Sequence, residues 1–580
     1  MAFQVSPGVE VKEIDATNVI PAVSTSIGGT AGHFRWGPID KVISVSSEKQ
    51  LAEEFGTPND TTAEYFFPAA GFLKYGQELK VVRASGSSAV NAASGTALLI
   101  KNEDELPQRT LSSAGDWVAR YAGTLGNSIT VSVCTSAQFA AWTYATNFDS
   151  APGTSPFAET IVSSNVTAVN GLYPHLDEIH VIVIDNDGAI SGTKGTILET
   201  FSHLSQATNA KKSDGTTNYY KEVINQTSEW IYFGHTTRAG GALTTPKEIN
   251  ATSTAFAAPG TDPNSSTFTT PLTGGVDTGS ASSDIVTALG LFDAADIEDV
   301  NLVFAAGDGN SGATGEILVN TQLVTLAGTT RKDCVAFVSP PVGFTDGSLA
   351  INLDNITTYF GTTLGTNSSY VVADSSSLKV YDKYNDVYRH IMASGHIAGL
   401  CANTDRVAAA WFSPAGETRG QLLGVTKLGF NPKKTDRDTL YKAGINPLVS
   451  LPGRGTLLFG DKTTQNRASA FDRINVRRLF IVLEKAISTA SEAMLFEFND
   501  EFTRANFRNM VEPFLRDVKG RRGITDFLVI CDETNNTGNI IDQNKFVADI
   551  FIKPARSINF ITLNFIATRT GVEFSEIAGQ

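Results

Sequence analysis

The stretch Phe471–Gln580 sets the tightest limit on what this chain can build. It opens on a charged and apolar run, Phe471-Asp472-Arg473-Ile474-Asn475-Val476-Arg477-Arg478-Leu479-Phe480. Ile474, Leu479, Val482, Leu483 and Ile487 are available for one buried side, which predicts a helix over Phe471–Ser488. Asn499-Asp500 caps a second helix running from about Glu501 to Asp517. Three strands are expected next: Thr525–Cys531, Lys545–Lys553 and Ser557–Thr568. In the last, Ile558 and Phe560 share a face while Ile561, Leu563, Phe565 and Ala567 take the opposite phase, which predicts a bulge at Phe560-Ile561. That strand is apolar on one face, and only a short polar tail containing Phe574 follows it. A strand edge left uncovered in this way needs a partner. The expected partner is another copy of the same chain.

The other end of the chain has the same character. Ser6-Pro7-Gly8 makes a turn, after which Val9 and Val11 alternate with Glu10 and Lys12. One short strand with charges on its second face gains little by folding alone. The segment from residue 1 to about 22 therefore reads either as a disordered tail or as a strand donated to another sheet.

Between these ends the pattern changes twice. Val23–Ala84 reads as compact α/β structure, with a buried Gly-rich strand Ile27–Phe34 and a second strand Val42–Val45. Ser47-Glu48-Lys49-Gln50 is a capping-box start for a short helix, Thr61–Tyr75 a second helix, and Leu79–Arg83 a third strand. From Gly86 to about Gly275 the chain is rich in Ser, Thr, Ala, Asn and Gly, with short β-like runs at Ser128–Cys134, Ile179–Ile184 and Ser228–Phe233. This predicts one or two inserted β-rich domains, bordered by flexible segments such as Pro259–Ser266. At Val276 the α/β pattern resumes and continues to about residue 470. The fold class expected is therefore multi-domain, α/β in the centre and α+β at the C-terminus, where two helices cover one face of a small sheet.

Charge narrows the partners. The 580 residues carry a net charge of −15, from 45 basic and 60 acidic residues, which argues against nucleic acid or an anionic membrane as the main contact. Residues 471–580 hold 14 Lys/Arg and 15 Asp/Glu, so the first 470 carry the remaining 31 and 45, a net of −14. The C-terminal stretch is thus balanced and Arg-rich, with Arg504, Arg508, Arg516, Lys519, Arg521 and Arg522 gathered on its second helix and the loop after it. Cys134, Cys334, Cys401 and Cys531 lie far apart in apolar runs and read as buried free thiols. The N-terminus lacks a signal-peptide pattern and no apolar run approaches the roughly 20 residues of a membrane span. Synthesis and folding in a reducing cytoplasm are expected.

Signs of catalysis are weak. Gly307-Asp308-Gly309-Asn310-Ser311-Gly312 is a GxGxxG placed between a strand, Asp299–Ala306, and a helical run from Thr314, with Asp333 some twenty residues on. Such glycines can admit a pyrophosphate to a helix N-terminus, but a plain strand-to-helix loop needs the same residues, and no second half-site follows. Asp382 and Asp386 are an acid pair only on paper; between aromatics they read as capping and bridging groups. Asp185-Asn186-Asp187 begins like a calcium loop but lacks the later Glu, so a hairpin turn is expected. His33 has no second ligand nearby and reads as a packed histidine. HExxH, GxSxG and P-loop patterns are absent from the sequence. No catalytic residue, metal or cofactor is assigned.

Several ordered runs resemble one family, the tail sheath proteins of T-even-like contractile-tailed bacteriophages. They are Phe34-Arg35-Trp36-Gly37-Pro38, Tyr381-Asp382-Lys383-Tyr384-Asn385-Asp386-Val387, Trp411-Phe412-Ser413-Pro414-Ala415-Gly416, Phe459-Gly460-Asp461-Lys462-Thr463, Phe471–Leu479 and Pro554-Ala555-Arg556-Ser557-Ile558-Asn559. The resemblance covers residues 1–85 and about 280–580 and is weak over 86–275. It implies a structural subunit that polymerises as stacked rings around a tail tube, with baseplate and terminator proteins at the ends. It also implies a sheath that shortens to drive the tube through a host envelope, with the C-terminal domain innermost and the insert outermost. Strand exchange between copies is then expected at Val5, Val9, Val11, Ile558, Phe560, Ile561, Leu563, Phe565 and Phe574. The six basic residues named above become candidates for a tube-facing surface, against the plainer reading of a solvated basic face. A β-rich receptor- or glycan-binding virion protein is the alternative function.

Overall fold

The structure, a computed structural model, describes residues 24–109, 111, 113–153, 178–205, 210–234, 268–277, 281–305, 307, 313–345 and 353–559. The proposed arm with Val5, Val9 and Val11, the segment Pro259–Ser266, and Phe560, Ile561, Leu563, Phe565 and Phe574 lie outside the described residues. Two compact units divide the rest: a larger one, 24–410 with 414–482, and a smaller one, 411–413 with 483–559.

The larger unit begins with β1 (Gly28–His33), β2 (Val42–Val45), α1 (Glu48–Phe55), α2 (Ala63–Leu73) and β3 (Leu79–Ala84). Local chemistry starts α1: the Ser47 side chain accepts from the Gln50 N–H at 3.2 Å. Every residue of β1 is buried, because a helix crosses it at close range; a Cβ on Gly32 would sit 2.8 Å from Tyr65.

The chain then leaves for an insert built from β4 (Trp117–Ala119), β5 (Ile129–Thr135), β6 (Glu178–Asp185), β7 (Thr196–Ser205), α3 (Tyr220–Thr227), β8 (Ile231–Phe233) and β9 (Phe268–Pro271). An antiparallel sheet in the order β7-β6-β5-β9 and a β4–β8 pair enclose their own apolar cluster, including Val131, Val181, Val183, Ile224 and Ile231. The β-rich character expected from composition is present. Asp185 is not a calcium ligand in waiting: its buried carboxylate accepts from the hydroxyls of Ser128 and Ser191 and from the N–H groups of Gly188, Ile190 and Ser191.

After the insert come α4 (Ser282–Leu289), β10 (Leu302–Phe304), α5 (Ala313–Thr325), β11 (Val335–Val338), α6 (Leu353–Thr358), β12 (Val371–Asp374), β13 (Leu378–Asp382), β14 (Val387–Ile391) and α7 (Ser394–Val407). Next are β15 (Val425–Leu428), α8 (Lys434–Lys442), β16 (Ile445–Asn446), β17 (Leu448–Leu451) and β18 (Gly455–Leu458). A seven-stranded sheet runs β16-β12-β11-β10-β1-β3-β2, parallel at each pairing except β2–β3. Its central strands β10 and β11 read as unbroken apolar runs, LVF and VAFV, because helices cover both faces of such a sheet. Helices α2 and α7 pack so closely that a Cβ on Gly395 would meet the Pro68 carbonyl oxygen at 2.1 Å.

One residue ties the insert to this sheet. Arg83, at the end of β3, is fully buried and donates to the carbonyls of Phe34 (2.9 Å), Gly37 (2.7 Å) and Ala122 (2.7 Å), with Asp277 at 3.8 Å. Ala122 lies on the way into the insert and Asp277 just past its exit. Burial pulls the Arg83 pKa down to about 10, opposed by the Asp277 charge.

Helix α9 (Ile474–Glu492) has its first residues in the larger unit and its last in the smaller one. Ile474 and Ile481 join the larger unit's core, and the buried Arg478 donates to the carbonyls of Thr25 and Cys401 and pairs with Asp405 at 2.5 Å. The smaller unit holds the rest of α9, α10 (Glu501–Gly520), β19 (Ile524–Ile530), α11 (Gly538–Ile541) and β20 (Asp549–Pro554).

Candidate assembly surface

The smaller unit is an α+β layer whose sheet has two strands among the described residues. Helix α10 starts where expected, with the Asp500 side chain accepting from the Thr503 N–H at 2.8 Å, and buries Phe507, Val511, Leu515 and Val518. Under it lie β19 and β20, antiparallel, with Phe527 opposite Ile552, Leu528 opposite Phe551 and Val529 opposite Ile550. Successive residues of a strand point to opposite faces, so Val529, 8% exposed, is covered while Leu528 and Phe551 are 55% and 57% exposed. Among the described residues this sheet has two strands, so each has one edge without a neighbour. A two-stranded sheet is marginal in water. The third strand expected at Ser557–Thr568 is absent from its described part: residues 557–559 belong to no strand, and Ile558 is 82% exposed.

The six basic residues do not form one surface. Arg504 is a correction to the sequence reading: it is buried, and its guanidinium donates to the Asn499 carbonyl (3.3 Å) and side-chain oxygen (2.9 Å). Its position, three before Phe507 and seven before Val511, puts it on the inward side of α10. Arg516, Lys519, Arg521 and Arg522 are exposed and Arg508 is half-buried. Acidic neighbours lie close to three of them: Glu512 is 3.8 Å from Arg516, Asp526 is 3.1 Å from Lys519 and Asp517 is 3.9 Å from Arg521. Arg521 also stacks over the Trp411 ring, 5.0 Å from its centroid.

Sequence reasoning missed an aromatic loop. Between α9 and α10, Leu495, Phe496 and Phe498 are 63%, 104% and 82% exposed, and Phe502 in the first turn of α10 is 73% exposed. The signal was present in Met494-Leu495-Phe496-Glu497-Phe498, which has neither a helical nor a strand-length period. Such a run is ordinarily read as core.

The larger unit shows no catalytic assembly among the described residues. Asp333 is held by Arg331 through two parallel hydrogen bonds of 2.8 Å, so it is not free for a ribose. Asp308–Gly312 lie outside the described residues, but a Cβ on Gly307 would be 3.2 Å from the Glu64 carboxylate, a group that repels phosphate. Asp382 is buried and accepts from Arg389, Asn385 and the Tyr384 N–H, while Asp386 accepts from the Tyr381 hydroxyl: these are bridging groups, as expected. His33 is buried at an edge-on contact with Tyr65, and burial lowers its pKa. All four cysteines are free and buried.

One polar cluster closes the ends of β11 and β12. The Asp374 carboxylate accepts from the Ser339 hydroxyl and the Ser376 N–H, and Ser339 accepts from the Ser394 N–H at 2.9 Å. Burial pushes the Asp374 pKa up to about 7. Raised in the folded state, this carboxyl favours folding at acid pH, and that contribution fades as pH climbs from about 4 to 7. It is a structural group, held by the Ser339 hydroxyl and the Ser376 N–H. A cleft of about 490 Å³ lies between α1, the insert and the β13–β14 turn, lined in part by Trp230 and Tyr384. Its lysines are engaged, Lys49 with Glu53 at 3.2 Å and Lys383 with Glu48 at 3.1 Å.

The fold is that of a multi-domain α/β and α+β protein. Three family models match in order: the tail sheath protein Gp18 domain III N-terminal region over residues 25–84, the phage tail sheath protein central domain over 283–464, and the phage tail sheath C-terminal domain over 466–568. The chain is 32% identical to the tail sheath protein of Vibrio phage KVP40 and 31% identical to that of Enterobacteria phage T4, with 99% of each chain covered in both cases. Its fold is similar to a solved sheath tail protein from Listeria innocua, with TM-score 0.53 and 12% identity over 93% of this chain and 94% of that one. A sheath tail protein from Desulfitobacterium hafniense gives TM-score 0.51 and 13% identity, over 91% and 94%. The chain belongs to the phage tail sheath family.

Proposed function

We propose that this chain is the polymerising subunit of a contractile phage tail sheath, a structural and not a catalytic protein, stacked as rings around a tail tube. Baseplate and terminator proteins cap its two ends, and its place is the virion tail after assembly in host cytoplasm. Membership of the sheath family carries the reading, and the two-stranded C-terminal sheet supplies the physical means. Strands from neighbouring copies complete that sheet, through Val5, Val9 and Val11 of an N-terminal arm and the run Ile558, Phe560, Ile561, Leu563, Phe565 and Phe574. Backbone hydrogen bonds of this kind hold neighbours together while larger surfaces slide. Contacts that do not close on themselves grow a helical tube. The work of contraction is held in the assembly as two packings of the same subunit, the extended one metastable. Residues 23–85 with 276–470 form the central domain, 86–275 the outer insert and 471–580 the inner layer. Purified protein examined by negative-stain microscopy is expected to form long tubes, and a strictly monomeric protein at all concentrations would refute the reading.

On the inner layer, Arg508, Arg516, Lys519, Arg521 and Arg522 face the tube. What supports this is the exposure of Arg516, Lys519, Arg521 and Arg522 at the end of one helix and in the loop after it, with Arg508 half-buried on the same helix; the acidic neighbours named above weaken the field. Arg516→Glu with Arg522→Glu is expected to reduce sheath assembly on tubes several-fold at low salt, with a smaller loss at high salt. Unchanged assembly at low salt in a sedimentation assay sinks this assignment.

A further inference from the structure

In the insert, β6 and β7 lose their register at one point, and a histidine side chain fills the gap. Ile179 pairs with Leu204 and Val181 with Phe201, so Ser202 and His203 stand against the single residue His180. That is a β-bulge, and its second residue takes a left-handed backbone, His203 at φ 52°. The His203 N–H, displaced from the ladder, donates instead to Nδ1 of His180 at 3.0 Å. On the far side of the ring, Nε2 lies 2.8 Å from the Ser150 carbonyl oxygen, an atom that can only accept.

These two contacts fix the state of the ring. Nδ1 must offer its lone pair and Nε2 must carry the hydrogen, so His180 is neutral and has no site left for a second proton. The side chain is fully buried, stacked on Phe148 with ring centroids 4.3 Å apart and met edge-on by Phe139 and His203. Segment 148–153 is pinned to the sheet at this point. Phe148 and the Ser150 carbonyl meet His180, the Ser150 hydroxyl lies 3.1 Å from Nε2 of His203, and the Gly153 N–H donates to the Glu178 carboxylate at 2.8 Å.

Few groups among the described residues can alter the charge of the ring. His203 is on β7, Glu178 two residues earlier on β6, and Cys134 directly opposite on β5. Asp149 is the one charged residue in segment 148–153. Burial pushes the Cys134 thiol up to about 12, so it stays neutral. Burial also lowers the pKa of His180, opposed by the Ser150 carbonyl. Stacking on Phe148 draws a cation weakly, but an Nδ1–H aimed at the His203 N–H sets two donors face to face. Neutral in the fold and chargeable once released, His180 gives stability that is full above its ordinary value of about 6.5 and is lost as pH falls below it.

We propose that His180 is an acid-released latch: a proton from solvent at Nδ1 expels the His203 N–H, opens the bulge and frees segment 148–153 from the sheet. The test is hydrogen exchange on the full chain, with protection corrected for the intrinsic rate at each pH. Amides of Phe201–Ser205 lose protection on the order of thirtyfold from about pH 7 to about pH 5, because each pH unit below about 6.5 favours the opened, protonated ring roughly tenfold. Strands β10 and β11 keep theirs. His180→Asn sets an amide oxygen near the place of Nδ1, an acceptor that does not titrate, and flattens the pH dependence. His203→Asn tolerates the left-handed backbone and retains the pH dependence. Flat protection in the wild type overturns the latch, as does a loss that survives in His180→Asn or disappears in His203→Asn. A loss of equal size along β5 and β6 overturns it too, because the insert would then be unfolding as a whole. Should His180→Asn fail to fold, the wild type and His203→Asn still decide: a loss confined to Phe201–Ser205 and segment 148–153 in both supports the latch, and any other pattern overturns it.

Discussion

Arg83→Met is expected to lower the thermal midpoint of the larger unit by on the order of 5 °C, corresponding to a loss of about 3–5 kcal/mol. Methionine preserves much of the volume but none of the donors. The carbonyls of Phe34, Gly37 and Ala122 would remain buried without their present partner, and Asp277 would lose the cation 3.8 Å away. Removing one partner from a buried polar group costs the full desolvation of what is left behind. Arg83→Lys should fall between the two, because an ammonium keeps the charge but cannot span three acceptors in one plane. Limited proteolysis should then cut first near residues 85–122 or 273–277, where the insert joins the sheet. A Met variant within 1 kcal/mol of wild type would show that the insert is held by its apolar contacts instead.

Deleting residues 1–15 is expected to abolish tube formation while leaving a folded subunit. The arm is proposed to add a strand to another copy, so its loss removes the link between neighbours without touching the larger unit's core. Far-ultraviolet circular dichroism of the deletion should match wild type, and negative-stain fields should be empty of tubes at concentrations where wild type forms them. Tubes of normal length from the truncated chain would end the strand-exchange assignment for Val5, Val9 and Val11.

How much of this could be read from sequence depended on whether the cause was local. Helix α1 was legible because Ser47 caps it within four residues, and α10 because Asp500 does the same. Strand β1 was legible as a Gly-rich run before a turn, and β3 and β5 as short, mainly apolar runs. Strand β7 did not: Thr196–Ser205 mixes Thr, Ser, Glu and His, and its exposure pattern does not alternate cleanly. Helix α3 was missed although Tyr220, Val223 and Ile224 fall at helical spacing, because it is only eight residues long and sits in a stretch whose composition reads as β-rich. Arg504 was misplaced because charge in a sequence suggests surface, whereas here a guanidinium braces a loop from inside. Phe496 and Phe498 failed in the opposite direction, as aromatics that propensity assigns to a core and the structure sets in water. Such choices belong to tertiary contacts that no window of sequence contains.

The two-stranded sheet has a consequence for how this subunit should be weighed and measured. If β19 and β20 gain neighbours only from other copies, the stability of this layer follows mass action. Its unfolding midpoint should then climb with protein concentration, while that of the larger unit stays fixed. Hydrogen exchange at Ile524–Ile530 should slow by orders of magnitude on assembly and hardly at all in the parallel sheet. The layer is a ledger shared among neighbours, and its strength is set by how many of them are present.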